Sequence, residues 1–172
     1  MSDEKRTFSR VPVRLKGYAR IMRNIESAPI YIGDGVGDAA CCDIAFKGSK
    51  LPEELTNFLK EINRKLDRIL GSLSQGSIRD DFPLDIEIME LSAVGVKFRS
   101  KSSFGIDTPL EIVIVLGQVP LRMAGSKGIV RGIDEETGLS RFEFVDTLGS
   151  SMEAIVQFVF QQQREQIRKS KM

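Results

Sequence analysis

The chain has 172 residues, 41% of them apolar, enough for a single domain with a sizeable core. Its 25 Lys and Arg nearly balance 24 Asp and Glu, so no whole-molecule field exists to hold a nucleic acid polymer or an anionic membrane, and any anion must be caught by a local cluster. With no histidine, the usual general base and the commonest metal ligand are missing, which argues against catalysis and against a metal site. No apolar run approaches the roughly 20 residues that span a bilayer. The polar start "MSDEKRTFSR" lacks the apolar core of a signal peptide, so a cytoplasmic protein without membrane insertion is expected.

In chain order, the first notable stretch is "KRTFSR", with Lys5, Arg6 and Arg10. Arg6 and Arg10 are four apart, so an extended segment and a helical turn both place them on one side. A guanidinium offers a planar fork of donors that fits phosphate oxygens or the O6 and N7 edge of guanine, and its flat face stacks on a base. The pair can therefore form a local site for a guanine nucleotide, with merely solvated basic residues near a terminus as the competing reading on charge alone. "VPVRLKGYARI" follows as a strand carrying Val11, Val13, Leu15 and Tyr18 and entered through Pro12. "APIYIG" reads as a second extended run. The loop "GDGVGDAACCD" after it lacks the spacing of a phosphate-binding turn. It contains the only cysteines, Cys41 and Cys42, which are adjacent, so no disulfide framework is expected and both read as small buried residues.

From Leu51 to about Leu73 the sequence turns helical, with a proline and acidic residues at its start and apolar residues at helical spacing. Written as heptads it places Leu59, Leu66 and Leu73 at a, and Leu55, Ile62 and Ile69 at d. Leucine at a with isoleucine mostly at d favours trimers or tetramers over dimers, so this helix is expected to form a homo-oligomer interface. Packing of the same stripe on the insertion's own strands is the competing reading, since Phe58 and Leu70 widen it beyond a strict seam. "SLSQGSIRDDFP" reads as a linker ending at Pro83.

The remainder reads mostly as strands. "LDIEI" alternates Leu84, Ile86 and Ile88 against Asp85 and Glu87. "ELSAVG", Glu90 to Gly95, reads as a turn, with Glu90 continuing the apolar parity. Its carboxylate can accept from guanine N1 and N2, the Ser92 hydroxyl can serve a base or phosphate, and Gly95 leaves room for close backbone approach or a positive φ. Alternation resumes at Val94, Val96 and Phe98 opposite Lys97 and Arg99, and "PLEIVIVLG", "LRMAGSKGIVRGI" and "SRFEFVD" follow at hairpin spacing, with "GSKG" read as a turn. Short strands so spaced imply a small antiparallel barrel. The last segment reads as a helix whose stripe of Met152, Ile155, Val156 and Val159 lies across the barrel, ending in a basic tail.

Arg-x-x-x-Arg at Arg6 and Arg10, running straight into a barrel strand, with "ELSAVG" at a later strand end, resembles the PilZ family of cyclic di-GMP receptors. The second motif fits at Ser92 and Gly95, with Glu90 where the family has Asp or Asn. The resemblance covers about 1–22 and 83–168. It implies one PilZ-like domain over 1–172, mainly β with a C-terminal helix, carrying an insertion at 25–82 that contains the helix 51–73. It also implies a non-enzymatic receptor without cofactor, whose ligand is cyclic di-GMP bound by Lys5, Arg6, Arg10, Glu90, Ser92 and Gly95, and which signals to a downstream protein. An oligomeric PilZ-like scaffold that binds no nucleotide is the alternative.

Overall fold

The computed structural model describes residues 9–31, 48, 50–118 and 121–172. Lys5, Arg6, Cys41 and Cys42 lie outside them. Six antiparallel strands form a closed barrel: β1 (Arg10–Ile21), β2 (Leu84–Ser92), β3 (Gly95–Ser100), β4 (Pro109–Gln118), β5 (Leu121–Ile133) and β6 (Ser140–Thr147), in the order β1-β2-β3-β6-β5-β4. Among the described residues two helices accompany it, α1 (Glu53–Asp81) between β1 and β2 and α2 (Gly149–Ser170) at the end. The small barrel with a terminal helix and an inserted long helix expected from the sequence is the architecture observed.

Val11, Ile88, Leu91, Phe98, Leu110, Ile112, Ile114 and Val130 fill the barrel and are fully buried. One end is closed by α2, whose Ile155 and Val159 enter this core. Of the expected stripe, Met152 and Val156 lie at its half-buried margins. A second cluster sits outside the barrel wall, where Tyr18, Val113, Val115 and Leu121 meet Tyr31, Phe82 and Ile78. Its presence explains the apolar run at 112–116 of β4, which is covered on both faces and has no solvent side to demand polar alternation.

Three local readings are corrected. The segment 74–81, expected as linker, is the last part of α1. Serine and glycine make it a weak helix former, but docking on the barrel overrides propensity. Gly71 lies so close to β5 that an added Cβ would be 3.3 Å from Leu121 Cβ, Gln75 Nε2 donates to Gln118 Oε1 at 3.1 Å, and Ile78 packs on the outer cluster. Phe82 closes the helix by donating its N–H to Ile78 O, and Pro83 follows.

Next, "GSKG" is no turn but lies within β5, paired to β4 and β6. Its glycines serve close approach: a Cβ on Gly125 would meet the Tyr31 ring at 2.2 Å, and one on Gly128 would meet Glu143 O at 2.1 Å. Finally, residues 28–31 form no strand. They are held by the buried Glu111 carboxylate, which accepts from Ile30 N at 3.1 Å and Tyr31 N at 2.9 Å while pairing with Arg20. Opposite Glu111 on β5, Lys127 donates to Ile25 O and Ser27 O, both at 3.0 Å, pinning the same segment. This cross-strand pair of opposite charge thus fastens the start of the insertion to the barrel wall.

Candidate functional site

Arg10 begins β1 directly opposite Ser92, the last residue of β2. Arg10 of the first half of the sequence pattern therefore meets the second half, 80 or more positions away, on the barrel wall. A cleft of about 420 Å³ opens there, lined by Arg10, Glu90, Ser92 and Gly95 and walled on its other side by Lys97, Arg131, Arg141 and Glu143. Arg10, Glu90, Ser92 and Gly95 of the expected set are thus brought together.

Glu90 reaches the cleft by a route that parity alone misplaces. A β-bulge between Ile88 and Glu90 in the β2–β3 ladder hands the core-facing role from the even positions to Leu91 and turns Glu90 outward. Its Oε1 accepts from Arg10 Nη1 at 3.5 Å, and its Oε2 lies 3.9 Å from Lys97 Nζ. Lys97 is held more tightly by Asp134, at 2.8 Å.

Ser92 is 3% exposed, and its hydroxyl closes the tight β2–β3 connection: it accepts from Val94 N at 3.3 Å and Gly95 N at 3.2 Å and donates to Gly95 O at 3.1 Å. The turn is confined to Ala93 and Val94, while Glu90 and Ser92 belong to β2, so the expected six-residue turn is shorter than its motif. Gly95 does not have positive φ; its role is close approach, because a Cβ there would sit 2.2 Å from Phe142 O on β6.

Lys97, Arg131 and Arg141 escaped the sequence reading, although each occupies an outward position of its strand. Register unites them: Lys97 lies opposite Arg141, and Arg141 opposite Gly132. Arg131 Nε donates to Glu143 at 2.9 Å and Nη1 to Asp107 at 3.4 Å, and chiefly the Glu143 hydrogen bond raises its pKa above the ordinary arginine value. At the far wall the hydrogen bond from Lys97, reinforced by the N–H of Glu136, holds the Asp134 carboxyl below the usual aspartate range. A depressed folded-state pKa means the pair's contribution is present above the unfolded value and is lost as pH falls through the folded one. In an acid titration followed by NMR of side-chain carboxyl carbons, Asp134 is expected to titrate below about pH 3.9, the ordinary aspartate value. A midpoint at or above that value would contradict the Lys97 contact.

The proposed interface residues lie elsewhere. Along α1, Leu55, Phe58, Ile62, Leu66, Ile69, Leu70 and Leu73 are between 39% and 66% exposed, with Leu59 at intermediate exposure. Gly71 is the only buried residue of the helix. The stripe therefore does not pack against the described barrel, and residues 32–47 of the insertion lie outside the described residues. No helix is long and apolar enough to cross a membrane among the described residues.

No protein-family model and no curated protein matches the chain. Among solved structures it is similar to the Bacillus subtilis inhibitor of motility MotI/DgrA, with 13% identity and a TM-score of 0.49 over 94% of this chain and 52% of that one. The chain thus spans about half the length of that protein. It is also similar to a pathogenic protein from Xanthomonas campestris described as a tetrameric PilZ domain self-assembled via a helical bundle, with 14% identity and a TM-score of 0.52 over 94% and 92% of the two chains. The closed antiparallel barrel, its terminal helix and its inserted helix give this chain a PilZ-like fold.

Proposed function

We propose that the chain is a cytoplasmic cyclic di-GMP receptor that acts by binding and change of shape rather than by catalysis. The observation that carries this reading is the convergence of Arg10 with Glu90 and the Ser92–Gly95 turn on one cleft whose lining has four cations and two carboxylates. Its volume falls within the range of small-ligand sites. Arg10 donates to a phosphate or guanine edge, and Lys5 and Arg6, just before it in sequence, complete the basic arm. Glu90 exchanges its contacts with Arg10 and Lys97 for the N1 and N2 donors of guanine. Ser92 and Gly95 shape the cleft wall, since the serine hydroxyl is already engaged within the turn. Binding then alters the surface offered to a downstream protein.

Arg10→Ala tests the reading by titration calorimetry with cyclic di-GMP. A bidentate arginine contact is worth about 1–3 kcal/mol, so the variant is expected to bind roughly 5- to 150-fold more weakly. Equal affinity of variant and parent would remove Arg10 from the site.

The exposed apolar stripe of α1 favours a second, compatible activity as an oligomeric scaffold. Leu55, Leu59, Ile62, Leu66, Ile69 and Leu73 form the seam between copies of the chain, giving a trimer or tetramer. The helical-bundle tetramer formed by the Xanthomonas protein supports this arrangement.

A further inference from the structure

The cations of the cleft are not equivalent. Arg10 is paired with Glu90, Lys97 with Asp134 and Arg131 with Glu143 and Asp107. Arg141 is exposed and makes no ion pair or hydrogen bond among the described residues. Strand register nonetheless places its backbone. Gly132, at φ +129, stands opposite it on β5, and a Cβ built on that glycine would lie 3.4 Å from Arg141 Nη2. Lys97 flanks it on β3.

We infer that Arg141 is a phosphate-binding residue of the cleft, gripping a phosphodiester oxyanion from the β6 wall while Arg10 holds the ligand from the β1 side. This rests on the cyclic di-GMP reading and adds a residue that lies in neither half of the sequence pattern. An anion approaching Arg10, Lys97 or Arg131 competes with a carboxylate already paired with that cation, whereas Arg141 offers its planar fork of donors without that competition. A ligand carrying two phosphodiesters can engage both sides of the cleft at once. In that arrangement the carboxylates of Glu90 and Glu143 face the remaining surface, where guanine donors rather than oxyanions belong.

The test compares the parent with Arg10→Ala, Arg141→Ala and Arg141→Lys by calorimetry with cyclic di-GMP at low and high salt, with thermal midpoints recorded for all. Arg141→Ala is expected to weaken binding about 5- to 150-fold and to flatten the salt dependence, with an unchanged midpoint because the side chain makes no internal pair. Arg141→Lys, which keeps the charge but loses the fork, is expected to fall between parent and alanine variant. Binding weakened by Arg10→Ala but untouched by either Arg141 variant would overturn this inference and leave the receptor reading standing. A parent that binds no cyclic di-GMP would overturn both. Should Arg141→Ala shift the midpoint, Arg141→Lys with a parental midpoint decides: weaker binding supports the inference, and parental binding overturns it.

Discussion

Replacing Gly95 by alanine is expected to destabilise the barrel by about 3 kcal/mol, the upper end of the overpacking range. The new Cβ would fall 2.2 Å from the backbone oxygen of Phe142 and 3.3 Å from Glu143 Cα, and neither is the end of a flexible side chain that can swing aside. β3 must move away from β6, and the ladder pairing Gly95 with Glu143 and Val96 with Phe142 is the part that opens. For a chain of this size the cost corresponds to a fall of roughly 6–12 °C in thermal midpoint, measured by calorimetry or circular dichroism. The same displacement shifts Ser92 and Glu143 on the cleft wall, so ligand affinity falls with stability. Gly105→Ala is the control, since its nearest neighbour would be Thr108 Oγ1 at 3.6 Å, an ordinary contact. An unchanged midpoint for Gly95→Ala would contradict the close β3–β6 approach.

The second large effect concerns α1. Ile62→Asp combined with Leu66→Asp is expected to convert an oligomer into a monomer in sedimentation velocity, while the barrel keeps its thermal midpoint. Both side chains lie on the stripe, 39% and 51% exposed in the single chain, and they occupy adjoining d and a positions of the heptads. Burying such side chains fully stabilises by about 1.5–3 kcal/mol each, and a carboxylate in the same seam reverses the sign through its desolvation cost. The barrel is spared because α1 is fastened near its C-terminal end, through Gly71, Ile78 and Phe82, downstream of the substituted turns. A parent chain that sediments as a monomer would contradict the seam. So would a double variant that retains the parent's mass.

Much of this architecture is legible from residue pattern, and the departures have physical causes. Period-two alternation marks β2, β3 and β6, and the heptads mark the first two thirds of α1. The last turns of α1 are hidden because serine and glycine signal a linker, while the contacts that stabilise them come from Tyr18, Gln118 and Leu121, far away in sequence. In β5 the glycines of "GSKG" look like turn residues but accommodate Tyr31 and the neighbouring β6 backbone. The cleft is half legible. Arg10, Ser92 and Gly95 stand out by spacing, but the direction of Glu90 depends on a bulge, which leaves no residue signature there. Lys97, Arg131 and Arg141 look like ordinary solvent-facing residues until strand register places them on one wall.

A calorimetric titration of the intact parent protein with cyclic di-GMP decides whether this cleft recognises a cyclic dinucleotide. Saturable heat at micromolar ligand, diminished by Arg10→Ala at an unchanged thermal midpoint, is the result expected. No heat up to high micromolar ligand would contradict the receptor account and leave the apolar seam of α1 as the working surface of the chain.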